Sequence, residues 1–323
     1  MLSQGVPPAW SGVDIAVPEP SDRLPGISMA GFRHPVPAPV DIAMVAHPSV
    51  TLLIDLSDDD GLVYDTQGRH GRGSVVIGLA PGELRASGLV GECLQIRLQP
   101  GVAAAVLGSS AGGSGSVVSL ADVWGRDAGR FEERLRTAGS WDERFAMAAD
   151  AVRRRIGDGL RVDPEVVHIW RRTVASRGRM RIDGLADEVG WSRKRLWARF
   201  RVQLGVTPKR AAQLVRFDHA AHLLAAGVPP AGVAAESGYA DQSHLHREVK
   251  AFTGLTPTAV AAAPWLAIDD VAWPASWRAG RPVAGGARGS GQRRTAQPLR
   301  RVRRAQRQDH QGEDAAEEPG HQR

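Results

Sequence analysis

Residues 238–257 read GYADQSHLHREVKAFTGLTP. Gly238 suits the left-handed residue of a tight turn, and Asp241 is a strong N-cap. Leu245, Val249 and Phe252 then recur at four- and three-residue steps, one apolar stripe of a helix. Thr256-Pro257 caps and opens another helix. Immediately upstream, Val228–Gly238 carries Val233 and Ala234 and reads as a short helix running into the turn. A helix, a glycine turn and a second, polar-faced helix make a helix-turn-helix pattern.

Further upstream the pattern occurs once more, in IDGLADEVGWSRKRLWARFRVQLG, residues 182–205. Ile182, Leu185, Ala186 and Val189 form a short apolar face, Gly190 the turn and Ser192 the next N-cap. The second helix has the stripe Leu196, Phe200 and Leu204. The small Ala186 lets the two helices cross closely. Gly190 and Gly238 lie 48 residues apart, Leu196 and Leu245 lie 49 apart, and each unit ends in Gly-x-Thr-Pro (205–208 and 254–257). The helix expected over 208–226 joins the units and spans roughly 28 Å at ~1.5 Å per residue. That is near the ~34 Å between successive major grooves on one face of DNA.

These residues give the stretch 165–262 a specific likeness. It resembles the DNA-binding domain of the AraC/XylS family of bacterial transcription regulators. The first half carries the resemblance in Leu185-Ala186, Gly190, Ser192, Leu196, Phe200, Gly205, Thr207-Pro208 and Arg216. The second half carries it in Ala234, Gly238-Tyr239, Asp241 to Leu245, Arg247, Lys250, Gly254 and Thr256-Pro257. Two departures are visible: Val249 stands where an aromatic is commoner, and the Tyr-Arg often found after the final Thr-Pro is absent. The resemblance implies double-stranded operator or promoter DNA as ligand, with RNA polymerase as a further partner. In the N-terminal half, AGFRHPVPAP (30–39), GLVGECLQIRLQPGVAAAVLG (88–108) and ADVWGRDAGRFEERL (121–135) resemble the effector or sensor region of an actinobacterial-type subgroup. That likeness implies no known ligand.

The reading residues follow from the stripes. With Leu196 and Phe200 turned to the core, Arg193, Lys194, Arg195, Trp197 and Arg201 lie on other faces of the first recognition helix. Lys194 and Trp197, three apart, face the groove: Lys as a donor to guanine or phosphate, Trp against a thymine methyl or sugar. Arg195 and Arg199 serve phosphates or a bridge to Asp187, and Trp197 has partial core as its other reading. On the second recognition helix Gln242, Ser243, His244, His246 and Arg247 point outward. His244 and Arg247 are the base or phosphate readers, and Gln242 has a capping role beside Asp241 as an equal reading. His244 and His246 diverge on a helix, so they do not chelate a metal.

Charge separates the same regions. Residues 1–164 carry a net −5, 165–262 a net +7 and 276–323 a net +6, within a chain total of +6. A basic module beside an acidic one suits a protein of which one domain meets a polyanion. The N-terminal region divides into short runs, Ile42–Val45, Val50–Leu56, Gly61–Tyr64, Ser74–Gly78, Leu84–Arg85 and Glu92–Leu98. These predict strands, with turns at Ser57–Asp60, Gln67–Gly73 and Pro81–Gly82. Residues 1–40, rich in proline, are expected to be irregular with short extended pieces, and SSAGGSGS (109–116) a flexible loop or hinge. Two amphipathic helices are expected over 127–138 and 140–157, with Phe131, Leu135, Trp141, Phe145, Ala148, Val152 and Ile156 inward. Asp163-Pro164 predicts the start of the next helix, with Val166, Val167, Trp170 and Val174 on one face.

The expected fold is therefore multidomain. A β-rich (α+β) sensor domain occupies 1–122, linker helices 123–162, and an all-α double helix-turn-helix domain 163–264. An Arg-rich tail, 276–323, has too few large apolar side chains to fold.

Several classes are excluded. One cysteine, Cys93, rules out a disulfide framework and Cys-based zinc, and it reads as a buried small hydrophobe. His34, His47 and His70 are scattered, and Asp58-Asp59-Asp60 reads as a turn. No nucleophile, P-loop or dinucleotide motif is present. No catalytic residue, cofactor or metal is expected. No signal peptide or membrane span is legible, so the expected location is cytoplasmic. A small-molecule effector and a homodimer are the further expected partners. Two rivals remain at this point: a small-molecule enzyme with an autoregulatory DNA-binding domain, and an architectural DNA-binding protein.

Overall fold

The computed structural model describes residues 13–57, 61–66, 69–79, 82–108, 117–159, 161–263, 266, 269 and 271–273. They all belong to one compact unit. The first half is an antiparallel sheet of eight strands: β1 (Asp14–Ala16), β2 (Ile27–Met44), β3 (Val50–Asp55), β4 (Leu62–Thr66), β5 (Arg69–Arg72), β6 (Val75–Ile77), β7 (Leu84–Leu98) and β8 (Val117–Ser119). Its order is β1-β2-β7-β3-β6-β8, with β4 paired to β7 and β5.

Two long strands form the spine and correct the sequence reading. Residues 27–40 are not irregular; they continue into the expected run from Ile42, and the whole strand pairs with nearly all of β7. The register shifts between Arg33 and Ala38, so Pro35 and Pro37 fall where no ladder bond is needed. The runs at 84–85 and 92–98 are one strand, not two. Gly88, at φ 135°, sits inside it because a Cβ there would lie 2.6 Å from the Gly61 carbonyl oxygen. Of the expected turn 67–73, residues 69–72 are instead strand β5, paired with β4. The turn residues 58–60, the loop 109–116 and the tail 276–323 lie outside the described residues.

Period-two alternation gives the sheet two apolar faces. Leu52, Ile54, Leu94, Ile96 and Leu98 face the helices. Phe32, Leu53, Tyr64, Val75, Leu84 and Cys93 form a second cluster. Residues from both ends of β2 and β7 share that cluster, so the sheet bends around it. Cys93 is buried there, as expected, and burial pushes its thiol up to about 12.

Helices cover the first face. They are α1 (Pro100–Leu107), α2 (Leu120–Trp124), α3 (Arg126–Thr137) and α4 (Trp141–Asp158). The two expected amphipathic helices are α3 and α4, and Phe131, Leu135, Phe145, Ala148 and Val152 are buried on them. Ile156, expected inward, is 40% exposed at the end of α4. Helix α1 went unread because PGVAAAVL is apolar all round and lacks a moment, although Pro100 at its start is an N1 signal. The second half is all helical: α5 (Pro164–Ala175), α6 (Ile182–Glu188), α7 (Arg193–Leu204), α8 (Pro208–Ala225), α9 (Pro230–Glu236), α10 (Gln242–Thr253) and α11 (Pro257–Ala261).

The apolar core is continuous from the sheet into these helices. Gly101 of α1 approaches Val167 of α5, with room for only a 3.3 Å contact. Beyond α11, Ala272 and Trp273 lie against the sheet. Trp273, 2% exposed, joins the second sheet cluster with the Arg97 guanidinium 3.9 Å from its ring centre. Asp269 accepts hydrogen bonds from Arg97 of β7 at 3.2 Å and from His222 of α8 at 2.9 Å. His47, which looked isolated in the sequence, lies 3.6 Å from Asp218 of α8. Burial would raise the Asp269 carboxyl, but Arg97, His222 and His47 hold it well below the ordinary carboxylate range.

Candidate nucleic-acid interface

Each helix-turn-helix unit is built by the same local devices. Gly190 and Gly238 take φ 66° and 75° in the turns. The Arg195 N–H donates to the Ser192 hydroxyl at 3.2 Å, and the His244 N–H donates to the Asp241 carboxylate at 2.7 Å. These bonds satisfy donors that open α7 and α10. Gly205 and Gly254 end both helices at φ 74° and 70°, and Thr207 and Thr256 cap the next. The recognition helices α7 and α10 are thus built alike, and α8, about 27 Å long at ~1.5 Å per residue, lies between the two units in the chain.

On α7, Leu196, Phe200 and Leu204 are buried. Lys194, Trp197 and Arg201 are exposed, Trp197 at 42%, which removes its partial-core reading. Arg193 pairs with Asp183 of α6 at 3.1 Å, and Arg195 lies over the Trp191 ring at 4.5 Å. Arg199 does not meet Asp187. It donates twice at 2.7 Å to Asp163, the residue at the head of α5. Asp163 occupies the N-cap position yet makes no side-chain cap, because its carboxylate is taken by Arg199. The Arg199 hydrogen bond holds that carboxyl below its usual range, against a smaller opposing effect of desolvation.

On α10, Gln242, Ser243, His246 and Arg247 are exposed. His244 differs from the outward reading. Its Nδ1 accepts from the Ala240 N–H at 3.4 Å, and its ring meets Tyr239 edge-on at 5.2 Å. Its Nε2 lies 4.0 Å from Glu248, so the imidazole folds back over the turn. No group of three or more His, Cys, Asp or Glu suited to a metal occurs among the described residues.

Sequence reading passed over the polar centre of the second unit. Glu248, 6% exposed, accepts from Arg216 of α8 at 2.7 and 3.1 Å and from the Tyr239 hydroxyl at 2.8 Å. Burial, then Glu248, drives the Tyr239 hydroxyl far above its ordinary value. Glu248 sits between Arg247 and Val249, where a charged residue reads as solvent face. The signal was Arg216, a long cation set between the apolar Val215 and Phe217 of α8.

Two capped helices presenting Lys194, Trp197 and Arg201, and Gln242, Ser243 and Arg247, joined by one long helix, define a tandem helix-turn-helix module. Residues 185–263 match a family described as a helix-turn-helix domain. The chain is 37% identical over 64 residues to an uncharacterized HTH-type transcriptional regulator, YbfI, of Bacillus subtilis (strain 168). That match covers 20% of this chain and spans 23% of the relative's length. Among solved structures, ToxT from Vibrio cholerae O395 aligns over 74% of this chain and 98% of its own, at 11% identity and a TM-score of 0.44. Unsaturated fatty acid bound wild-type ToxT from Vibrio cholerae strain SCE256 aligns over 73% and 95%, at 10% identity and a TM-score of 0.42.

Proposed function

We propose that this chain is a sequence-specific, double-stranded-DNA-binding transcription regulator acting in the cytoplasm. The observation that carries the reading is the pair of recognition helices, both packed on α8, with polar and cationic faces exposed. In this reading Lys194, Trp197, Gln242, Ser243 and Arg247 face base edges. Arg193, Arg195 and Arg201 attract phosphates, and His244 orders the turn before α10. Helix α8 lets a single chain address two successive major grooves.

The sheet is the sensing or dimerising region. An open cavity of about 490 Å³ at the bend of β2 and β7, lined by Arg33, His34, Ser57 and Glu92 among others, supports a small-molecule effector. Glu92 there accepts from Arg33 at 2.8 Å and pairs with Arg144 of α4 at 2.6 Å, so the cavity wall is tied to the helical layer. RNA polymerase and a second copy of the chain complete the partners of this reading. The domain limits 1–122, 123–162 and 163–264 belong to it as well. No helix among the described residues is long and apolar enough to cross a membrane. The reading assigns no enzymatic role to the sheet.

The test is selection of bound duplexes from a random pool by the full chain, followed by footprinting. The expected result is a bipartite site with two protected major grooves about one helical turn apart, bound with steep salt dependence. Equal affinity for selected and random DNA would favour the architectural alternative. Turnover of a metabolite by the sheet region would favour the enzyme.

A further inference from the structure

We infer that Arg179 and Arg181, in the turn between α5 and α6, contact the DNA backbone across the minor groove that separates the two half-sites. The inference rests on the DNA-binding reading above and adds a third contact to it. Arg179 belongs to the first unit but lies against the second. A Cβ built on Gly238 would come within 3.2 Å of the Arg179 Cδ, so its stem covers the turn that leads into α10. Its Nε donates to the Ser176 carbonyl at 3.4 Å, which fixes the start of the side chain and leaves the guanidinium exposed. Arg181 immediately precedes α6. Two residues on, Asp183 pairs with Arg193 at the first turn of α7. Segment 179–183 therefore touches both the turn that leads into α10 and the first turn of α7.

Recognition helices of this type present their N-terminal residues to base edges in the major groove. Two successive major grooves on one face of a duplex are separated by one minor groove. A segment that touches the approach to one helix and the first turn of the other faces that groove and the phosphates on its rims. The local charge suits it. Arg179 and Arg181 are exposed, and neither meets a carboxylate among the described residues, while the one acid of the segment, Asp183, is engaged by Arg193. The backbone of the segment is anchored from behind. Gly178, at φ 71°, packs so tightly that a Cβ would lie 2.1 Å from the Ala212 carbonyl oxygen of α8. Arg177, at φ 54°, bonds His219 of α8 at 3.2 Å. The two arginines thus project from a braced turn.

The experiment uses the full chain on its selected site, with hydroxyl-radical footprinting and affinity measured across salt. Wild type is expected to protect the central minor groove as well as the two major grooves. Arg179→Ala and Arg181→Ala are each expected to reduce the slope of log K against log[salt] by about one unit. Each should also lose central protection while both outer half-sites stay protected. Arg179→Lys keeps the charge and the stem and should retain most of the slope. If Arg179→Ala unfolds the turn against Gly238, Arg181→Ala decides alone, since its side chain is exposed. An unchanged slope and an unchanged central footprint in folded Arg181→Ala would overturn the inference while leaving the DNA-binding reading intact. Absence of salt-dependent binding by wild type would sink the reading beneath it.

Discussion

Arg216 on α8 donates through Nε and Nη2 to the two carboxylate oxygens of Glu248 on α10, at 3.1 and 2.7 Å, fastening the second recognition helix to the connector. Both charges are largely withdrawn from water, with side-chain exposures of 17% and 5%. A buried pair of this kind contributes modestly to stability, but removing one partner strands the other.

Glu248→Ala is therefore expected to destabilise by about 3–5 kcal/mol, because Arg216 and the Tyr239 hydroxyl lose their shared acceptor. Chemical denaturation checks it. The paired replacement of Arg216 and Glu248 by apolar residues of similar volume should recover most of that loss. A single Glu248→Ala effect below ~1 kcal/mol would show the network to be solvated.

Trp273→Ala should destabilise by roughly 3–5 kcal/mol, as for a large aromatic removed from a core. The reason is its place in the second apolar cluster of the sheet under Arg97. Thermal unfolding of the full chain measures it. A neutral result would mean that Trp273 does not dock on the sheet in solution.

The Asp269 carboxyl is depressed in the folded chain, chiefly by Arg97 against the opposing pull of burial. A depressed carboxyl adds stability above its unfolded value of ~3.9, and that stability is lost as pH falls below it. Unfolding free energy should thus drop steeply between about pH 4 and pH 2 in wild type. Asp269→Asn should be less stable at neutral pH and show a shallower acid limb.

Lys194→Ala and Arg247→Ala should each weaken binding at half-sites about one helical turn apart. A base contact should cost ~1–3 kcal/mol and relax preference at that position, whereas a phosphate contact should lower affinity uniformly. Both side chains are exposed, so thermal stability should stay within ~0.5 kcal/mol. Footprints of the two variants that fade at the same base pairs would contradict the two-groove arrangement.

A fragment of residues 161–263 should bind DNA with steep salt dependence, since both recognition helices and α8 lie inside it. Ending it at 275 would leave Trp273 without the sheet that buries it. Comparison of the two fragments by light scattering should show the longer one associating more. Salt-independent binding of the shorter one would count against phosphate anchoring.

What the sequence determined by itself was local. Glycines 190, 205, 238 and 254, the caps Ser192, Asp241, Thr207 and Thr256, and the stripes Leu196–Phe200 and Leu245–Phe252 each act within one or two turns of chain. Their physics is complete in a short window, and both helix-turn-helix units were legible from them. Tertiary structure alone decided what depends on distant partners. Strand β2 runs through prolines because β7 pairs on either side of its bulge. Arg199 finds Asp163 at 2.7 Å, 36 residues away, in preference to the nearer Asp187. Glu248 is buried because Arg216 and Tyr239 converge on it. Trp273 lies against a sheet that begins more than two hundred residues earlier. A charge or a ring carries no sign of its partner in its neighbours' identities. Long-range packing chooses that partner, once the chain has closed and desolvation penalises every polar group left unmatched.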